Sequence, residues 1–225
     1  MQPTSKRLLY GLLSVLSVTF FAFFAMTAAQ GQADIAGAVI AGGFAFASVD
    51  WQGGDNIGGF TSEAFLAVHG EVTTWPTLNP NPVTDAEHVT LTGDYAFLEG
   101  KNFYRIYVTP KTFGGSAEVQ GEIDGKSFLQ KGTFFFPSTR EEGLALARKL
   151  NNTVGVLIGI DPNTGKRIQF GSKDLPCRFS PKVDYGTEPS ARRGLTVEFE
   201  ADSIHPALIY PGAIALSGSS LPAQS

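Results

Sequence analysis

Leu195, Val197, Phe199 and Ala201 are interleaved with Thr196, Glu198 and Glu200, an unbroken alternation of apolar and polar residues. A period of two is the side-chain period of a β-strand, so this segment buries one face and wets the other. The pattern recurs: Val89, Leu91, Tyr95 and Phe97 alternate with Thr90, Thr92 and Asp94, and Ala117, Val119 and Ile123 with Glu118, Gln120 and Glu122. Residues 103–108 form a further, aromatic-rich candidate strand. Residues 127–136 form another, ending in Phe134-Phe135-Phe136, which must be covered on both sides because an exposed triple-Phe strand would aggregate. The continuous apolar run 154–160 reads as a buried strand. Asp161-Pro162-Asn163-Thr164-Gly165-Lys166 joins it to Arg167–Phe170 with the residues of a hairpin turn, Gly165 taking the left-handed position.

The period changes once. Gly143, Leu146, Ala147 and Leu150 fall at i, i+3, i+4 and i+7, which predicts one helix of about three turns over 139–150. Ser138 with Glu141, or Thr139 with Glu142, has capping-box spacing at its start, and Asn151-Asn152 ends it. With 26 glycines and 13 prolines punctuating Val-, Ile-, Thr-, Phe- and Tyr-rich stretches, the expected fold is all-β: a β-sandwich or small β-barrel of roughly seven to nine strands, carrying this one short helix.

Two stretches contain long loops. Residues 33–63 are rich in small residues and read as a strand followed by an adaptable loop, in which Gly53-Gly54 and Gly58-Gly59 are turn glycines, since the Gly-Lys-Ser/Thr ending of a phosphate-binding loop is missing. Between Val72 and Glu87, Pro76, Pro80 and Pro82 exclude a helix or a central strand. A loop this long in a compact domain is commonly functional, so Trp75, Pro76, Pro80 and Pro82 mark a candidate assembly arm.

Residues 8–29 carry no charge, follow Lys6-Arg7 and end in Thr27-Ala28-Ala29, the pattern of a signal peptide. The run is also long enough for a membrane-anchoring hydrophobic helix, and Met26 offers an alternative start of translation. The expected organisation is a hydrophobic N-terminal segment (1–32), a single β-rich domain (33–216) and a flexible tail (217–225).

Catalytic and metal-site signals are weak. His69, His88 and His205 are far apart and lack ligand or acid-base spacing, so no metal site is expected. Asp161, Asn163 and Gly165 begin like a calcium loop, yet the closing glutamate is absent. Cys177 is the only cysteine, excluding an intrachain disulfide and a cysteine-based metal cluster; without a histidine partner nearby in sequence it reads as a packing residue. The formal net charge is −4, or −6 without Lys6 and Arg7, a balance that does not attract nucleic acid. No enzyme and no cofactor is expected.

One resemblance runs along most of the chain. Lys126-Ser127-Phe128, the Phe134-Phe135-Phe136-Pro137 run, the helix, Asn151-Asn152, the apolar strand 154–160, Gly165-Lys166-Arg167, Gly171-Ser172 and Asp174-Leu175-Pro176 follow one another in order. This succession, within residues 51–212, resembles phage and prophage structural proteins of Bacteroidetes-type hosts that look like tail-tube proteins. It implies a virion subunit, assembled in the host cytoplasm, that forms homo-oligomeric stacked rings and contacts other phage tail proteins. DNA would pass through the ring without specific binding. The expected channel lining is a polar strand face, drawn from Glu118 and Glu122 or from Glu198 and Glu200. Residues 8–29 depart from that pattern and favour the alternative, a secreted or envelope-anchored β-sandwich binding module.

Overall fold

The computed structural model describes residues 49, 50, 53, 56–188 and 190–217. The chain divides into two units, Met1–Gly53 and Gly54–Ser225, and every element below belongs to the second. The hydrophobic segment 8–29 lies outside the described residues. Among those described, no helix is long and apolar enough to cross a membrane.

Among the described residues the fold is β-rich with one α-helix, in line with the alternation and the single helical period of the sequence. Nine strands form one antiparallel sheet: β1 (Glu63–Val68), β6 (Tyr104–Tyr107), β7 (Gly114–Gln120), β8 (Ser127–Phe136), β9 (Val154–Ile160), β10 (Arg167–Phe170), β11 (Cys177–Asp184), β12 (Gly194–Ser203) and β13 (Leu208–Ile209). Their main order is β13-β10-β9-β11-β12-β8-β7, while β1 joins the second edge of β9 and carries β6. Two small ladders complete the unit: β2 (Val72–Thr74) with β5 (Ala96–Phe97), and β3 (Thr77–Leu78) with β4 (Leu91–Thr92).

Strand β9 is the hinge of the architecture. One edge pairs with β1 over Gly155–Gly159, and the other is divided between β10 and the first two residues of β11. The sheet therefore splits into two wings that pack on each other. Leu157, Ala64 and Leu66 face a principal core with Phe134, Phe170, Phe179, Val197 and Phe199. Val156, Ile158, Phe65 and Ala67 face the opposite way into a second core with Leu91, Phe103, Leu208 and Tyr210. Covering on both sides is why 154–160 reads as an uninterrupted apolar run. Each fully buried Val, Leu, Ile or Phe among them contributes about 1.5–3 kcal/mol.

Glycines let the aromatic rings in. A Cβ on Gly132 would lie 2.4 Å from the Phe199 ring and 2.3 Å from the Gly114 carbonyl oxygen, and one on Gly115 would lie 2.6 Å from Phe170. The helix α1 (Glu141–Leu150) lies against the principal core with Leu146, Ala147 and Leu150, the face expected from its spacing.

The structure corrects several local expectations. No capping box forms: Arg140 is the N-cap without a side-chain bond, Ser138 Oγ accepts from the Arg140 amide, and Thr139 Oγ1 accepts from Arg193 instead. The chain entering the helix folds over Gly143 so closely that a Cβ there would stand 2.2 Å from the Ser138 carbonyl oxygen. The expected strand 89–97 is two short ones, β4 and β5, because Gly93 turns the chain at φ +89°. Strand β7 covers 114–120 rather than 117–123: Gly121 (φ +100°) leads into a turn in which the Gly125 amide donates to the Glu122 carbonyl. Glu122 is therefore on a turn, off the strand. Residues 161–166 form the expected hairpin turn, with Gly165 at φ +67°.

Candidate assembly surface

The sequence of β7, Gly-Gly-Ser-Ala-Glu-Val-Gln, has no proline, no lysine and no bulge. It pairs with β8 through all seven residues, and its opposite edge bonds to no other described strand. The other margins of the sheet are shorter, partly covered or blunted. Just before the four-residue β6, the Phe103 amide donates to Ala215 and the Ser217 amide donates back to Phe103, so the C-terminal stretch pairs at that end. At β13, the Ile209 amide donates to Val89. Beyond its short pairing with β9, β11 carries Pro181 and Lys182, residues that blunt an edge. A strand offering unpaired backbone donors and acceptors is a template for another strand, and β7 is the longest open edge without proline or lysine among the described residues.

The face that runs into this edge is mostly polar, interrupted by Leu129 between Glu118 and Asp202 and by Phe135 beside Thr196. In register, Arg178 lies opposite Glu200, Glu200 opposite Lys131 and Lys131 opposite Ser116; Ser180, Glu198, Thr133 and Gly114 make the next row. Side chains in a row share one face of the sheet. Three predicted residues, Glu118, Glu198 and Glu200, which the sequence assigns to two separate strands, thus come together on one four-stranded surface. Glu122 does not join them.

This face carries more carboxylates than basic groups, and Lys131 and Arg178 are both paired with carboxylates. Lys131 Nζ lies 2.6 Å from Glu118 Oε2, and Arg178 Nη2 lies 3.3 Å from Glu200 Oε1 and 3.2 Å from Asp202 Oδ2. Gln120 Nε2 donates to Asp202 Oδ1 at 2.9 Å, and this bond, ahead of Arg178, holds the Asp202 carboxyl below its ordinary pKa. Exposed pairs of this kind are each worth about 0–1 kcal/mol, so they shape the potential more than they stabilise the fold. Gly114, Ser116, Thr133 and Ser180 leave a shallow depression of about 550 Å³ between the charged side chains.

Lys131, Arg178 and Asp202 were missed as members of the surface. The signal existed in β11, where Cys177, Phe179 and Val183 alternate with Arg178, Ser180 and Lys182, but Pro181 disguised it. Proline is tolerated there because that part of β11 bonds only to β12.

The expected arm is folded onto the domain. Trp75 is half-buried against the second core, 5.2 Å from the His69 ring and 5.6 Å from Tyr95. Pro76 and Pro82 are half-buried and Pro80 exposed. Glu87 Oε2 accepts from Asn79 Nδ2 at 3.1 Å and from the Val83 amide at 2.9 Å; the amide bond chiefly holds its pKa below the usual carboxylate range.

The other candidate reactive groups are a buried thiol and a turn carboxylate. Cys177 is buried, and burial pushes its thiol up to about 12, far from the thiolate a nucleophile requires. Asp161 accepts from the Asn163 amide and Thr164 Oγ1, as in an ordinary turn. Among the described residues no three of His, Cys, Asp and Glu are grouped to hold a metal ion. Set against known families, curated proteins and solved structures, the chain matches none of them.

Proposed function

We propose that this chain is a self-assembling structural subunit resembling those of phage tail tubes, with copies joined laterally into rings, the rings stacked, and the polar face turned to a channel for DNA. The open edge of β7 carries the reading. It continues a broad polar face and is the one long, unblunted margin among the described strands. Main-chain pairing across such an edge extends a sheet from one copy to the next without requiring a complementary pocket. The face it would extend suits a conduit, because Lys131 and Arg178 are each paired with a carboxylate and the carboxylates on the face outnumber its basic side chains, leaving little counterion release to drive DNA binding.

The test is electron microscopy with light scattering on the full chain. Rings or tubes are expected, with no measurable DNA affinity at physiological salt. Proline at Ser116 and at Ala117 probes the edge, since amides of neighbouring strand residues point to opposite sides; the variant whose amide faces outward should remain folded and fail to form rings. A monomer at high concentration would sink the reading. A mature chain beginning near Gln30 in the bacterial envelope would favour the secreted binding module suggested by residues 8–29.

A further inference from the structure

Two turns bracket β7, and they share an unusual feature. In the turn 109–112, the Thr112 amide donates to Thr109, Pro110 is the second residue, and Lys111 is the third with φ +63°. In the turn 122–125, the Gly125 amide donates to Glu122, and the third residue, Asp124, has φ +69°. A positive φ at that position favours glycine. Lys111 and Asp124 are the two non-glycine residues with positive φ among those described, they are exposed, and their charges are opposite.

Their surroundings are complementary in a second way. Beside Asp124, Ile123 stands 83% exposed at the hairpin tip. Lys111 is the one charged side chain lining a groove of about 730 Å³ that is walled by Phe60, Phe113, Pro110 and Pro162. The Phe60 and Phe113 rings meet at 4.8 Å over Gly159, where a Cβ would come within 2.9 Å of both. The tip and the groove lie at opposite ends of a seven-residue strand, about 23 Å apart along β7.

The geometry points to a head-to-tail contact between two copies of this chain, in which Ile123 of one copy enters the groove of the next and Asp124 pairs with the Lys111 at its rim. A tip and a groove at opposite ends of one strand form a heterologous interface, which propagates along the strand direction instead of closing as a two-fold dimer. The contact rests on the proposed stacking of copies and assigns the residues that make it. It is separate from the lateral edge of β7.

A charge exchange on the full chain tests it by sedimentation velocity and electron microscopy. Asp124→Lys and Lys111→Asp should each weaken stacking by about tenfold or more, leaving single rings, while the double exchange recovers stacks. Asp124→Gly and Lys111→Gly, which relieve the backbone, should raise the melting temperature and still impair stacking, an outcome no purely structural role produces. Ile123→Asp should leave unstacked rings. Stacking unchanged in both single charge variants, or well-folded single variants whose double exchange fails to recover stacks, would overturn this contact while leaving the rings. Absence of rings in the wild-type protein would overturn the ring model and this contact together.

Discussion

Strand β9 and strand β7 belong to the same sheet and have the same length, yet they obey different rules. Both edges of β9 are paired and both faces are buried, with Val156, Leu157 and Ile158 fully shielded from solvent. β7 has one paired edge, and four of its seven residues are exposed. The two strands separate two tasks. β9 supplies the apolar contacts that make the domain fold, whereas β7 contributes little burial and leaves backbone groups available to a partner.

Substitution at the centre of β9 should give the largest effect. Leu157→Asp places an unpaired charge in the principal core at a cost of several kcal/mol, comparable with the stability of a whole domain. Ser116→Asp on β7 should change stability by less than about 0.5 kcal/mol. Urea melts of the two variants give the comparison directly, and similar losses would show that β7 is structurally essential after all.

Glycines sharpen the contrast within a single hairpin. Gly132→Ala drives a methyl group into the Phe199 ring and the Gly114 carbonyl, so a loss of about 1–3 kcal/mol is expected. At Gly114 a Cβ would meet nothing within 4 Å, and Gly114→Ala should be neutral or slightly stabilising. In the helix, Gly143→Ala is expected to destabilise by a similar 1–3 kcal/mol through its clash with Ser138, although helix propensity alone would make it favourable by about 1 kcal/mol. Thermal melts that rank Gly114→Ala below Gly132→Ala would reverse the assignment of inner and outer faces.

The smallest expected effect is the acid response of the exposed network. Asp202 and Glu87 have carboxyl pKa values lowered in the folded state, so each favours the fold above its unfolded pKa of about 4, and that contribution fades as pH falls through the folded value. Asp202→Asn should therefore flatten the loss of melting temperature below about pH 4 while leaving neutral-pH stability nearly unchanged. An unaltered acid limb in that variant would mean that the Gln120 and Arg178 contacts are energetically silent.

Much of the core was legible because burial writes a period into a strand. The alternation of β12, the solid apolar run of β9, the helix spacing 143/146/147/150 and the 161–166 turn all appear where expected. Boundaries failed where a backbone contact intervened. Gly121 ends β7 early because the turn brings the Gly125 carbonyl within 2.4 Å of where its Cβ would be, a closeness no local pattern announces. The capping pair at 138–142 was not realised because Thr139 is engaged by Arg193, 54 residues away.

The candidate surface divides in the same manner. Period-two patterning by itself determined that Glu118 shares a wet face with Gln120, and Glu198 with Glu200, because alternation is a property of one strand. That these faces are one surface, that Lys131 stands between their carboxylates and Arg178 flanks Glu200, and that β7 is left at an open margin were decided only by strand order. The physical reason is that pairing acts between segments distant in the chain: Glu118 and Glu200 are 82 residues apart, and the order β11-β12-β8-β7 places each beside Lys131.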